Sequence, residues 1–501
     1  MKIITKETMK NAEAAAVRSG LGYLRLMENA GTAAARVIRQ TVSPEGKTAA
    51  ILCGSGNNGG DGFVIARKLL ENGAEPVVIL ASGEPHTKEA AEMLSRLSDS
   101  VTVYDGAKLS SAALRAVESA DIIVDAIFGT GLSRQIEGFA AELIRAANKS
   151  EAVRFAVDIP SGVECDTGKL LGESFKADYT VTFEAMKPCH ILPPANEFCG
   201  RVNAVAIGID QSIINALPVV AETIDSAVIK PRHKNDHKGT FGTALSVTGS
   251  YGMSGAAVIS GLAALRCGVG IMKTACINEN YPVIAAAVPE SVLVPCASSD
   301  GKYSKAALPI LKNQLKTASA LLIGCGLGVS CDTAFITREL ALSSSVPVII
   351  DADGINAVAP DIEFTEQMKA PLIMTPHPKE MARLCKTTVA EIQADRIGIA
   401  RRFSTERGVY LVLKGANTVV ATPDGEVYVN MSGNAGMAVG GSGDMLSGMT
   451  LSLLAQGYPV KEAVCTAVKL HGDAGDRARD RLGEISLLPR DMIEELPYLF
   501  K

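Results

Sequence analysis

Short apolar runs separated by helix-length stretches dominate this 501-residue sequence, and they occur in two successive series. In the first, residues 48–53, 76–81, 101–104, 121–128 (DIIVDAIF) and 153–159 (VRFAVDI) read as strands. In the second, residues 243–247, 321–323, 346–350, 371–374 and 409–413 do so, with helices expected at 254–267, 444–456 and 461–473. Strands that alternate with helices pair in parallel and are covered on both faces. Between the two series, around residues 208–236, the pattern loosens, and IKPRHKNDHKG (residues 229–239) is polar, basic and proline-containing, as a linker is. The fold class expected is therefore α/β with two domains, over residues 1–214 and 226–501. Ligands of such sheets bind outside the carboxyl ends of the strands, so the turns that follow each strand carry the functional reading.

Composition removes several classes of function. With 47% hydrophobic and 21% charged residues the chain has ample apolar surface to bury, which excludes disorder as its main state. Lys+Arg 49 against Asp+Glu 54 gives a net charge of −5, a poor balance for nucleic-acid binding. Tryptophan is absent and aromatics are 4%, which leaves few surfaces for base stacking. The 11 cysteines are scattered singly with no CxxC pair, so neither a disulfide framework nor a structural zinc site is expected, and a reducing cytoplasm fits. The opening MKIITKETMK has no apolar signal-peptide core, and no stretch reads as a membrane span.

Three turns of the first series bear chemistry. GSGNNGGDG (residues 54–62) offers backbone amides to a phosphate at a helix start, but lacks both the Walker and the GxGxxG spacing. Asn57, Asn58 and Asp61 add oxygens suited to ribose, an amide or a hard cation; a tight strand-to-helix turn is the plainer reading. FGTGLSR (residues 128–134) follows Asp125 and adds amides and one guanidinium. DIPSGV (residues 158–163) puts Asp158 at a strand end as an acid, a base or an ordinary turn residue, with Ser161 as a cation ligand.

Together with ENAG (residues 28–31), these turns resemble the NAD(P)H-hydrate epimerase family across roughly residues 1–214. The resemblance implies a Rossmann-like fold that interconverts the two C6 epimers of hydrated NAD(P)H and carries potassium. It implies that Asn57, Asn58, Gly59, Gly60 and Asp61, with Gly129, Thr130, Gly131, Leu132, Ser133, Arg134 and Gln135, hold the hydrated dinucleotide. Asn58, Asp125 and Ser161 would bind potassium, and Asp158 would be the catalytic residue at the nicotinamide ring.

GNAGMAVGGSGDML (residues 433–446) is the sharpest signal of the second series. The amides of residues 440–443 can cradle a phosphoryl group, and Asp444 stands ready to take a proton from an attacking hydroxyl. So many small residues would weaken a purely structural segment. The GGSGD arrangement is that of the ribokinase-like superfamily. Lys414 of KGANT follows a strand and can meet a nucleotide phosphate, although KG alone is an ordinary turn. His377 is fixed between Pro376 and Pro378 at another strand exit.

In order, HKGTFG, GSYGMSGAA, GCGLG, TPHPKE, KGANT and GNAGMAVGGSGD resemble the ADP- or ATP-dependent NAD(P)H-hydrate dehydratases, from about residue 226 to the end. The resemblance implies that the nucleotide phosphorylates the C6 hydroxyl and that phosphate then leaves, regenerating NAD(P)H. It puts Ala256, Gly326, His377 and Asp444 on the hydrate, with Asp444 as catalytic base. Lys414, Gly415, Ala416, Asn417, Thr418 and Gly443 fall on the adenine nucleotide, which is expected with magnesium. Lys379 and Ala435 depart from the family, which usually has Gly and Pro there. The combined expectation is a cytoplasmic, self-associating enzyme that takes hydrated NADH or NADPH and ADP or ATP. A ribokinase-type small-molecule kinase fused to a nucleotide-binding scaffold is the alternative.

Overall fold

The computed structural model describes residues 1–106, 108 and 110–500. The chain forms two compact units, Met1–Val220 and Ala221–Lys501.

In the first unit, and among the described residues, seven strands form a parallel sheet. Their order is Thr102–Asp105, Glu75–Leu80, Thr48–Cys53, Ile122–Ala126, Val153–Val157, Tyr179–Phe183, Arg201–Val205. The order reverses between Thr48–Cys53 and Ile122–Ala126, and a crevice opens outside the carboxyl ends of strands at such a point. Apolar side chains fill a core on each face of the sheet, one under helices that include Tyr23–Thr41 and Asn57–Leu70, the other under Ser110–Glu118 and Gly138–Lys149. The five expected strands are present. Two more follow them, because YTVTF and RVNAV hide their pairing behind polar residues. The buried Thr180 hydroxyl, for instance, donates to the Cys199 carbonyl at 2.6 Å. The helical beginning is two helices, Lys6–Arg18 and Tyr23–Thr41, parted where Gly20 takes φ 101°, a left-handed conformation that favours glycine.

The second unit holds a ten-strand sheet, again among the described residues. Its order is Ala221–Thr223, Val427–Val429, Val419–Ala421, Tyr410–Leu413, Leu372–Met374, Val348–Ile350, Ala320–Ile323, Thr243–Val247, Ile271–Ile277, Val292–Cys296. Val419–Ala421 runs antiparallel to both its neighbours, and the other pairings are parallel. Helices Ser254–Arg266 and Ser442–Ala455 pack on this sheet and on each other. Any side chain on Gly448 would meet the Ser260 carbonyl oxygen at 2.1 Å, so glycine sets that contact. The last long helix, Val460–Leu482, outruns the expected 461–473, because Arg477 and Arg481 of its charged end both donate to the buried Glu495, at 3.1 and 3.0 Å. Among the described residues, no helix is long and apolar enough to cross a membrane.

Candidate active sites

In the first unit, the GSGNNGGDG segment is not a loop throughout. Helix Asn57–Leu70 starts inside it, so Asn57 to Asp61 form its first turn and more. Some glycines serve packing. A Cβ on Gly54 would lie 1.9 Å from the Ile127 carbonyl oxygen, and one on Gly59 would lie 1.9 Å from that of Gly54. A Cβ on Gly129 would sit 3.2 Å from Asn58 Oδ1, so the two glycine-rich turns touch.

Between these turns lies a cleft of about 550 Å3. Asn57, Asn58, Asp61 and Asp158 line it, as do Gly129, Thr130, Gly131, Leu132, Ser133 and Arg134. Glu13 and Phe183 line it too. Among the described residues, Gly59, Gly60 and Gln135 do not line it; the two glycines are buried and Gln135 is exposed.

Asp158 ends the turn after Val153–Val157 with φ 64°, a left-handed conformation uncommon outside glycine. Its Oδ1 accepts from Lys187 Nζ at 2.5 Å and from the Thr182 hydroxyl at 2.9 Å. The Lys187 side chain has no exposure at all, and its ammonium also donates to Thr182 Oγ1 at 2.8 Å and to the Phe183 carbonyl at 3.1 Å. Burial alone would raise Asp158, but the Lys187 ammonium and these hydrogen bonds hold its carboxyl below the usual range. His190 ties the two residues together. Its Nδ1 accepts from the Lys187 amide at 3.0 Å, so Nε2 carries the proton and donates to the Asp158 carbonyl at 3.0 Å. Burial, reinforced by Lys187, pushes His190 down to about 4, which keeps the ring neutral.

Asp125 and Ser161 form a second cluster. Asp125 accepts from the Ser161 hydroxyl at 2.6 Å, the Ser161 amide at 2.7 Å and the Ile127 amide at 3.2 Å. Burial raises this carboxyl to about 6 against those neutral donors. The Ser161 hydroxyl oxygen also accepts from the Phe128 amide at 2.9 Å. Asn58 Nδ2 is buried with no hydrogen-bond partner. A buried acid held only by neutral donors, beside amide and hydroxyl oxygens, is a donor set that a hard monovalent cation suits.

In the second unit, successive strand ends converge. Gly326 follows Ala320–Ile323, Asp351 follows Val348–Ile350, His377 follows Leu372–Met374 and Lys414 follows Tyr410–Leu413. The GGSGD segment enters helix Ser442–Ala455 through Gly441 at φ 96°. The first amides of that helix have no intrahelical partner. Asp444 lies in its first turn.

Ligand atoms of Cys325, Asp351 and Asp444 all lie within 4.8 Å of one another. Asp351 Oδ1 accepts from Lys414 Nζ at 2.6 Å and its Oδ2 from Ser447 Oγ at 2.7 Å. Burial would raise Asp351, but Lys414 keeps it low. Asp444 goes the other way: burial and then the Asp351 charge push it up to about 6, against the Cys325 thiol and Lys414.

The remaining expected residues fall around this centre. A Cβ on Gly443 would lie 3.2 Å from Lys414 Nζ, and one on Gly326 would lie 2.9 Å from Ala256 Cβ. The Lys414 amide donates to the Pro376 carbonyl at 2.9 Å, joining the KGANT and TPHPKE turns. Gly415 and Ala416 are exposed, Asn417 has φ 53°, and Thr418 closes the turn by donating to the Gly415 carbonyl at 3.0 Å. His377 caps helix Pro378–Cys385, its Nδ1 accepting from the Lys379 and Glu380 amides at 3.1 and 3.3 Å.

Asp351, Cys325 and Ser447 escape the sequence reading in this unit, as Lys187, His190 and Glu13 do in the first. Asp351 obeys the strand-end rule that picks out Asp158.

Glycine-led turns and acidic side chains at the carboxyl ends of two largely parallel sheets define a two-domain α/β enzyme, Rossmann-like in the strand order of its first unit. The sequence model of the family described as NAD(P)H-hydrate dehydratase matches residues 244–498, and that described as YjeF-related protein N-terminus matches residues 23–189. The bifunctional NAD(P)H-hydrate repair enzyme Nnr of Moorella thermoacetica is 37% identical over 95% of this chain and 92% of its own. Its Escherichia coli counterpart is 35% identical over 95% and 89%. A crystal structure of the ADP/ATP-dependent NAD(P)H-hydrate dehydratase from Bacillus subtilis, co-crystallised with ATP/Mg2+, is 32% identical. It covers 55% of this chain and 95% of that one, with a TM-score of 0.48. The chain belongs to the family of bifunctional NAD(P)H-hydrate repair enzymes.

Proposed function

We propose that the chain clears hydrated NAD(P)H by two activities, an isomerase over residues 1–214 and a lyase over residues 226–501. The first interconverts the R and S hydrates. The second spends ADP, or ATP, to dehydrate the S form, and with ADP it releases AMP and phosphate.

The observation that carries this reading is the environment of Asp444. A carboxyl raised to about 6 is ionised at neutral pH yet still basic, which suits a group that takes a proton from a hydroxyl. The amides of the helix that starts at Ser442 lie beside it to meet the phosphoryl oxygens. Lys414 holds Asp351 and flanks Gly443, which places fixed positive charge next to the transferred group. Ala256, Gly326 and His377 would form the hydrate side of this site, and Gly415, Ala416, Asn417 and Thr418 the nucleotide side.

Magnesium takes oxygen ligands, and nucleotide phosphates supply most of them. Asp351 is committed to Lys414 and the Cys325 thiol is a poor partner for a hard ion, so the protein's own share is small. In the first unit Asn58, Asp125 and Ser161 would hold potassium, whose charge would offset the buried Asp125. Asn57, Asp61, Arg134 and the turn from Gly129 to Ser133 would take the dinucleotide, with Asp158 at the ring. The cysteines are free, and most are buried, as a reducing cytoplasm permits. We expect the protein to associate with itself.

The test is incubation of the pure protein with an R/S mixture of hydrated NADH, ADP and magnesium. Both epimers should return to NADH with release of free phosphate. A stable phosphorylated product would instead identify a small-molecule kinase. Asp444→Ala should abolish dehydration and leave epimerisation, and Asp158→Ala should do the reverse.

A further inference from the structure

The epimerase cleft contains more acid than binding a dinucleotide requires. Three carboxyls line it: Glu13, Asp61 and Asp158. Asp158 meets Lys187 and Thr182 through Oδ1, and among the described residues nothing donates to its Oδ2. Among the described residues, nothing donates to Asp61. It sits in the second turn of helix Asn57–Leu70, past the capping positions, with its side chain on the cleft wall. The strand that leads into that helix and the strand that ends at Asp158 flank Ile122–Ala126, two strand spacings apart, about 10 Å. Both carboxyls line the same cleft of about 550 Å3, and the Asp158 charge acts on Asp61 across it.

Resting on the proposed epimerase activity, we propose that Asp61 and Asp158 act as an acid–base pair on opposite faces of the hydrated nicotinamide ring. Asp61 gives its proton to the C6 hydroxyl. The C6–O bond breaks, water leaves, and the lone pair of the ring nitrogen forms a C6–N double bond. A solvent water then adds to the other face, its electron pair forming the new C6–O bond while the double-bond pair returns to nitrogen. Its proton goes to Asp158. One water leaves and one enters, with no oxidant or reductant. Asp61 ends ionised and Asp158 protonated, and the same steps reversed carry the S form back to R.

The two environments match these roles. Burial and then the charges of Asp158 and Glu13 push Asp61 well above the usual carboxylate range, the direction that a general acid needs. Asp158 is held ionised by Lys187. A weak base suffices there, because water adding to a cationic carbon becomes strongly acidic.

The full chain is tested in 18O-labelled water, with the epimers resolved at early times. The expected result is one solvent oxygen at C6 for each inversion. Asp61→Asn should lower kcat of epimerisation by about 100-fold or more with KM little changed. Asp61→Glu should recover part of that loss, and unchanged thermal unfolding would show that the variants fold. Retention of the original oxygen through inversion overturns the proposal, as does an Asp61→Asn chain that raises KM but keeps kcat. A wild-type chain that interconverts no epimers would remove the epimerase reading itself, a result separate from either.

Discussion

Each unit buries one lysine against one aspartate, and the two pairs do opposite work. In the first unit Lys187 grips Asp158, the carboxylate that faces the cleft. In the second, Lys414 grips Asp351, and among the described residues no cation pairs with Asp444, a few ångströms away. The consequence shows in the acids. Asp158 is held low and stays charged, whereas Asp444 rises to about 6 because Asp351 adds its negative charge to the cost of burial. A lysine placed on an acid fixes its charge, and a lysine placed on a neighbouring acid leaves the first one basic. The first arrangement suits a weak base that is ionised at rest and meets only a strongly acidic proton. The second suits one that must accept a proton from an alcohol.

The largest effect that breaks this comparison comes from the deeper lysine. Lys187→Met leaves Asp158 buried without a cation and should cost about 3–5 kcal/mol, since removing one partner of a buried pair strands the other. Epimerisation should vanish with it, while dehydration assayed below the new unfolding temperature persists. Lys414→Met should cost less, roughly 1–3 kcal/mol, because Lys414 keeps 17% of its side chain exposed where Lys187 keeps none. Thermal unfolding of the two variants compares them directly. Equal losses would mean that the burial of Lys187 has no special energetic weight.

A smaller effect has the opposite sign in the two units. Asp444 binds its proton more tightly folded than unfolded, so it adds stability at low pH and withdraws it as pH rises through about 6. Asp444→Asn should therefore raise stability at neutral pH, by about 1 kcal/mol after allowance for its partial exposure. Asp158 contributes stability above the ordinary carboxylate pKa and loses it as pH falls through its lowered value. Asp158→Asn should thus destabilise. Denaturation of both variants at neutral pH checks the signs.

How much of this is legible in the sequence differs residue by residue. Asp125, Asp158 and Asp444 stand at strand ends or helix starts beside glycine-rich turns, and both signals are local. Asp351 stands at a strand end as well, but the following ADGI lacks the run of glycines that marks the other turns. The start of helix Asn57–Leu70 was hidden because its first turns are glycines and asparagines, poor helix formers that packing overrides. Lys187 could not be read at all. It lies 29 residues from Asp158, beyond a strand whose alternating threonines look like surface, and only the parallel register of Val153–Val157 with Tyr179–Phe183 brings the pair together.

The smallest expected effect is on pH dependence, and it isolates the acid from the lysine. If Asp444 must be ionised to accept a proton, kcat/KM for dehydration should fall as pH drops below about 6. Epimerisation should still run at that pH, because Lys187 keeps Asp158 charged. The Cys325 thiol favours the ionised form of Asp444, so Cys325→Ala should move the dehydration limb toward higher pH. The shift changes the rate at pH 6 by less than about tenfold, since a single pKa unit is 1.36 kcal/mol. It should leave the epimerisation profile untouched, which separates a local effect on Asp444 from general loss of enzyme. A dehydration limb that stays in place in Cys325→Ala would mean that burial and Asp351 alone set the basicity of Asp444.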